Sequence, residues 1–175
     1  MLETTRYLIG TLIKLMVFVA ALSAFIVALV YLTDDSTSPK MVPLLNTLIT
    51  TANEHRVSYF QNQDWCESLL SETGNYATSE ISTCGGGETK PFDAQGTQLF
   101  NTIRSAAKKA KISPIRISLK SEHGTVSFAQ ISLPCLLLCN AKYVYSPHKP
   151  YVSEERKPTT VTDMTGGWYY EIMGI

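Results

Sequence analysis

The chain lacks an excess of charge of either sign, because 15 Lys+Arg balance 15 Asp+Glu and the formal net charge is zero. A nucleic-acid-binding protein needs surplus lysine and arginine for its phosphate contacts. A highly charged disordered tail needs a surplus of one sign. The composition argues against both classes, and we expect no nucleic acid among the partners.

Motifs of known catalytic and cofactor sites are also missing. The sequence contains no G-x-S-x-G, no H-E-x-x-H and no ordered phosphate-binding loop around its triple glycine at 85–87. His55, His123 and His148 have no metal-ligand spacing with each other or with the cysteines. We therefore predict that the protein is not an enzyme and has no cofactor and no metal site.

One long apolar run is present near the start, where 21 of the 25 residues from Leu8 to Leu32 are apolar. A helix over residues 15–32, which carry no charge, would span roughly 27 Å, close to a bilayer's hydrocarbon core. We predict a transmembrane signal-anchor helix over 8–32, preceded by a cytoplasmic N-terminus over 1–7. Cations precede the uncharged stretch 15–32, and Asp34 and Asp35 follow it. This asymmetry predicts that the C-terminal part lies outside the cytoplasm.

The expected location is the bacterial inner membrane, with a single pass, the N-terminus cytoplasmic and the C-terminal domain periplasmic. The membrane is then one partner. The absence of N-x-S/T sequons favours a bacterial envelope over a eukaryotic secretory compartment. Ala20, Ala24 and Ala28 recur every fourth residue, and such small residues let transmembrane helices approach closely, which predicts helix pairing.

The segment Gly10–Ala20 (GTLIKLMVFVA) is similar to the N-terminal signature of type IV pilins and pseudopilins, in which a glycine precedes an apolar helix. The resemblance covers about ten residues of the 175. It departs from the family in lacking the aromatic residue after the glycine and in placing Lys14 where the family has a glutamate. That glutamate is thought to meet a neighbouring subunit's amino terminus, so a lysine reverses the charge. The resemblance implies an alternative function as a pilin-like or pseudopilin-like subunit, cleaved after Gly10.

Residues 33–40 (TDDSTSPK) are typical of a linker, and residues 41–175 predict one exported α+β domain. Apolar spacing predicts helices over about 42–55, 64–71 and 99–111. Alternating patterns predict strands over 115–120, 125–133, 141–145 and 167–173, with a bulge near Ala129 and a long loop over 146–165. Without βα alternation, the fold class is α+β: the N-terminal transmembrane helix, then a small domain with a roughly four-stranded antiparallel sheet covered by helices.

The four cysteines allow three disulfide connectivities, and local spacing favours Cys66–Cys84 with Cys135–Cys139. An extended chain would hold the last two α-carbons about 13 Å apart, so their pairing requires a loop over 134–140. That loop would expose Leu136, Leu137 and Leu138 as an apolar contact for a partner. The alternative is a buried strand.

Aromatic residues concentrate in the last third of the chain, and Tyr169 is a candidate partner-binding residue. We therefore expect a membrane-anchored envelope protein whose domain binds another protein, as an assembly subunit or an immunity-type inhibitor. A periplasmic sensor or enzyme domain is a further alternative.

Overall fold

A computed structural model of the chain describes residues 14–23, 36–78, 84, 87–134, 140–154 and 158–174. The chain divides into two compact units, Met1–Asp35 and Ser36–Ile175. The predicted N-terminus (1–7) lies outside the described residues. The predicted linker (33–40) falls across the boundary between the two units.

In the first unit, residues 14–23 are helical and exposed. Among the described residues, no helix has both the length and the apolar character needed to cross a membrane. This finding overturns the predicted transmembrane helix and the single-pass inner-membrane location derived from it. The other residues of the predicted span, 8–13 and 24–32, lie outside the described residues.

The described residues of the second unit form two helices and eight strands, which are numbered in chain order. The helices are α1 (Met41–Glu54) and α2 (Ala94–Lys109). The strands are β1 (Val57–Gln63), β2 (Cys66–Ser71), β3 (Gly74–Ala77), β4 (Arg116–Glu122), β5 (Thr125–Leu133), β6 (Asn140–Tyr145), β7 (Thr159–Thr165) and β8 (Trp168–Met173).

All eight strands form one sheet in the order β3-β2-β1-β4-β5-β6-β8-β7, and every neighbouring pair is antiparallel. The prediction of a roughly four-stranded sheet is therefore wrong. The four predicted strands correspond to β4, β5, β6 and β8, and sequence reasoning missed β1, β2, β3 and β7. The unit is mostly sheet, with both helices packed on one face.

The segment predicted as a helix over 64–71 is instead a turn followed by β2. Trp65, Leu69 and Leu70 have a spacing that suits one helix face, which produced the error. In the structure Leu69 is fully buried, whereas Trp65 is 53% exposed in the turn and Leu70 lies on the opposite face of the strand. Pairing with β1 over its whole length decides the strand conformation.

Two further strands lack the alternation that identifies a strand in a sequence. In β1, a register shift between Val57 and Tyr59 interrupts the period of two, and both faces of the strand are partly buried. In β7, at the sheet edge, Met164 is buried and most other residues are exposed. The predicted bulge in β5 is confirmed two residues earlier than expected, because Lys120 pairs with Phe128 and Ser121 with Val126, leaving Ser127 unpaired.

The core lies between the sheet and the two helices. One row of apolar side chains crosses the sheet in register beneath the helices: Tyr76, Leu69, Phe60, Ile117, Ile131, Tyr143 and Tyr170. The rings of Phe60 and Phe100 lie 4.7 Å apart and join β1 to α2. The opposite face of the sheet, the helix-free face, points away from both helices.

Candidate binding surface

The helix-free face carries a polar row, which we define as Ser68, Gln61, Arg116, Ser132, Lys142 and Glu171. These residues pair in register across six adjacent strands, from β2 to β8. Their chain neighbours point into the helix-covered core, because successive side chains of a strand face opposite sides. The fold therefore aligns six polar side chains that are scattered over 111 residues of sequence (171 minus 61, counted inclusively).

A buried ion pair ends the polar row. Lys142 Nζ lies 3.0 Å from Glu171 Oε1, and the two side chains are only 15% and 2% exposed. Tyr151 donates its hydroxyl to the other carboxylate oxygen at 2.6 Å. The pKa of Tyr151 is raised to about 12, mainly by partial burial and secondly by this hydrogen bond. The carboxylate is held by two partners, so it is fixed in position.

The same region contains Tyr169, the predicted partner-binding residue of β8. Its ring lies 5.8 Å from that of Tyr151, centroid to centroid. The segment around Tyr151 therefore lies over this end of the sheet. Val144, which pairs with Tyr169, is fully buried. Through this ring contact Tyr169 helps to hold the segment around Tyr151 against the sheet. Its predicted role in partner binding stays a prediction.

A chain of hydrogen bonds fixes the other side of the row. The Tyr59 hydroxyl donates to Gln61 Oε1 at 2.6 Å, and Gln61 Nε2 donates to Gln63 Oε1 at 2.7 Å. Gln61 is completely buried, and both polar atoms of its amide are satisfied by these bonds. The Arg116 guanidinium lies 5.8 Å from the centre of the Tyr59 ring, in cation–π contact.

Between these two fixed regions the helix-free face contains a cleft of about 220 Å³. Polar side chains dominate its lining: Gln63, Arg116, Gln130, Ser132, Lys142 and Glu171. Arg116 is exposed and forms no ion pair with any residue that the structure describes. Lys142 and Glu171 form an ion pair with each other, so Arg116 is the lining cation that has no ionic partner among the described residues.

Two larger concavities lie on the helical side of the domain. A groove of about 520 Å³ runs between α1 and α2. The hydroxyls of Thr47, Thr51 and Thr102 in that groove donate to carbonyls four residues earlier, at 2.8–2.9 Å. Those donors are therefore engaged within their own helices. The other concavity, of about 320 Å³, lies beside the C-terminal end of α2.

The two edges of the sheet differ. Beyond β3, Lys90 forms a parallel bridge with Tyr76, and its backbone bonds to Ala77 and Asn75 at 3.0 and 2.9 Å. Beyond β7, no strand pairs with the outer edge within the ranges that the structure describes. The β3 edge is thus covered, and the β7 edge is open as far as the described residues go.

Of the predicted cysteine pairs, Cys66–Cys84 is a disulfide in the structure. Both residues are buried on the helix-free side, against Ala77. The bond attaches residue 84 to the start of β2. The predicted Cys135–Cys139 pair and the candidate contact residues Leu136, Leu137 and Leu138 lie outside the described residues.

Of the predicted helix-pairing residues, Ala20 lies in the helical stretch 14–23, while Ala24 and Ala28 lie outside the described residues. The first four residues of the pilin-like segment, 10–13, lie outside them as well. Within the described ranges, no three His, Cys, Asp or Glu side chains lie close enough together to hold a metal ion.

Sequence reasoning missed the polar row completely. Arg116, Lys142 and Glu171 each look like an ordinary solvent-facing residue of an alternating strand. The sequence signal for the row is a polar residue between apolar neighbours in each of β4, β6 and β8. Only the strand order reveals that these positions form one row.

In comparisons with known proteins, no family model, no curated protein and no solved structure matches this chain.

Proposed function

We propose that residues 36–175 form a non-enzymatic binding domain that recognises an acidic side chain of a partner protein in the cleft of the helix-free face. The observation that carries the proposal is the exposed guanidinium of Arg116, which has no ionic partner in the part of the chain that the structure describes, beside the Lys142–Glu171 ion pair. An arginine guanidinium binds a carboxylate through two parallel hydrogen bonds, which gives orientation as well as attraction.

The size of the cleft supports a side chain over a complete small ligand. Its volume of about 220 Å³ is below the range of about 300–1,000 Å³ that is typical of small-molecule pockets. Arg116 and Tyr59 are also residue types that are enriched at protein interfaces. A subunit of an assembly and an inhibitor of another protein would both use such a surface.

The rigidity of the surroundings supports binding over chemistry. Gln61, Lys142 and Glu171 are fixed by partners before any ligand arrives, which lowers the entropy cost of association. Among the described residues, the titratable side chains that line the cleft are Arg116, Lys142 and Glu171. Histidine, the commonest general base, is not among the lining residues.

The test is an NMR titration of the full chain with acetyl-Gly-Glu-Gly-amide and, separately, with the glutamine analogue. We expect saturable shifts at Arg116, Gln130 and Lys142 with the glutamate peptide, and affinity at least about tenfold lower with the glutamine peptide. Arg116→Gln should weaken binding by a similar factor. Arg56→Gln, which removes an exposed arginine paired with Glu72 elsewhere in the domain, should leave it unchanged.

A titration with free propionate, which carries the same carboxylate without a peptide, distinguishes a protein partner from a small free acid. Weaker binding of propionate than of the peptide supports a protein partner. Equal or tighter binding of propionate overturns the proposal in favour of a small free acid. A lack of shifts with the glutamate peptide at tens of millimolar also overturns it.

A further inference from the structure

We infer that the open β7 edge is a self-association surface, at which β7 pairs antiparallel with β7 of a second copy of this chain. The inference uses backbone pairing at the end of the sheet. It rests on observations other than those that carry the proposed function, although Val161 pairs with Glu171, which lines the cleft.

An open edge strand exposes unpaired backbone N–H and C=O groups and can accept another strand. Proteins usually protect such edges with lysines, prolines, inward-pointing charges or bulges. In β7 these devices occur only near the two ends. Pro158 precedes the strand, and a register irregularity lies between Asp163 and Thr165.

The centre of β7 carries no such protection. Residues 159–162 (Thr-Thr-Val-Thr) are uncharged and β-branched, a composition that favours strand pairing. Asp163, the charged residue of β7, accepts a hydrogen bond from the Thr165 backbone N–H at 2.8 Å. Its carboxylate is thus engaged within its own turn.

The sequence of the edge is self-complementary, which identifies the occupant as a second copy. Thr160-Val161-Thr162 reads the same in both directions, as a twofold-symmetric antiparallel pair requires. Pairing centred on Val161 places Thr160 opposite Thr162 of the second copy, and cross-strand threonine pairs are favourable. The same register separates the two Asp163 carboxylates, whereas pairing centred on Asp163 would oppose them.

Exposed apolar surface on both sides of the edge supports the same interface. Val161 lies on the helix-free side and Ile172, which pairs with Thr160, lies on the helix side. Each is 37% exposed. A second β7 would cover part of both. The zero net charge of the chain means that two copies do not repel each other over long distances.

An interface of one short strand pair is smaller than the interfaces of stable dimers, so association should be weak, with a Kd of about 10 μM to 1 mM. We propose sedimentation equilibrium of the full chain from 10 μM to 1 mM. The wild type should show a monomer–dimer equilibrium. Val161→Lys, which sets two lysines opposite each other, should weaken it at least about tenfold.

The matched control is Val152→Lys, which makes the same change at a valine that is 77% exposed and outside the edge. It should dimerise like the wild type. A wild type that is monomeric at 1 mM overturns the inference. A Val161→Lys protein that dimerises as strongly as the wild type also overturns it, because the copies then associate elsewhere.

A second variant tests the register without depending on weakened association. Directly opposed residues of antiparallel strands have α-carbons about 4.5–5.5 Å apart, within the range of a disulfide. Val161→Cys should therefore form a covalent dimer on oxidation, and Val152→Cys should form far less. Equal yields from the two variants contradict the register. Near-UV circular dichroism of each variant confirms that it is folded.

Discussion

The buried indole of Trp168 donates its N–H to the side-chain oxygen of Asn46 at 2.8 Å. This bond joins β8 to α1 across 122 residues of sequence. It gives the last strand of the chain a polar attachment to the helix that covers the sheet.

Asn46→Ala should lower the free energy of unfolding by about 1–2 kcal/mol, because the buried indole N–H loses its acceptor. Urea unfolding followed by tryptophan fluorescence measures the change. Asn101→Ala, at an exposed position of α2, is the matched control and should change stability by less than about 0.5 kcal/mol. Equal effects of the two substitutions would contradict the role given to the Trp168 bond.

Gly96→Ala should destabilise the domain although it lies in a helix. Helix propensity alone favours alanine by about 1 kcal/mol. A β-carbon at Gly96 would lie 2.7 Å from carbons of the buried Tyr76 ring, and such overpacking costs about 1–3 kcal/mol. Thr97→Ala, at the exposed neighbouring position, should be neutral or stabilising. Thermal unfolding compares the two variants, and a higher Tm for Gly96→Ala would contradict the packing described.

Lys111→Gly should stabilise the protein by about 0.5–1 kcal/mol. α2 ends in a Schellman motif, with Ile112 N–H bonded to Ala107 O at 3.1 Å and Lys111 N–H to Lys108 O at 3.0 Å. Lys111 occupies the left-handed position with φ of 58°, which glycine adopts without a steric penalty. Lys108→Gly inside the helix should destabilise by about 1 kcal/mol. Urea midpoints measure both, and destabilisation by Lys111→Gly would contradict the motif.

Removing the Cys66–Cys84 disulfide should cost about 3 kcal/mol, the chain-entropy value for cysteines separated by 18 residues. The Cys66→Ala, Cys84→Ala double variant tests this by urea unfolding against the wild type. The corresponding variant at Cys135 and Cys139 tests the second predicted pair in the same experiment. A change below about 1 kcal/mol for Cys66 and Cys84 would show that the bond adds little to stability.

Tyr151 should make the protein less stable at high pH. Its pKa is raised from 10.0 to about 12 by partial burial and by the bond to Glu171. The folded state therefore holds the proton more tightly than the unfolded state, and this stabilisation is complete below pH 10. It is lost as the pH rises through about 12.

The measurement for Tyr151 is the free energy of unfolding against pH for the wild type and Tyr151→Phe. The difference in free energy of unfolding between the two proteins should be constant below pH 10. Between pH 10 and about 12 the wild type should lose stability relative to Tyr151→Phe. Comparison with the phenylalanine variant isolates the effect of the hydroxyl, because the variant keeps the ring and removes only the hydroxyl. A difference that changes below pH 9 would contradict the assignment.

The sequence by itself determined the features that depend on local patterns. The helical spacing of Leu45, Leu48, Ile49 and Ala52 located α1, and alternation located β4, β5, β6 and β8. The spacing of Cys66 and Cys84 predicted a bond that the structure contains. Each of these features depends on residues that are close in sequence and that share one face of an element.

Only the tertiary structure decided the remainder. β2 is a strand because β1 pairs with it, although Trp65, Leu69 and Leu70 are spaced as on a helix. The apolar run of the first unit predicted a membrane helix, yet no described helix is long and apolar enough to cross a bilayer. The polar row, the cleft and the open β7 edge follow from the strand order, which joins residues far apart in the chain. Pairing between distant strands depends on the burial of whole faces, and no local pattern encodes which strands become neighbours.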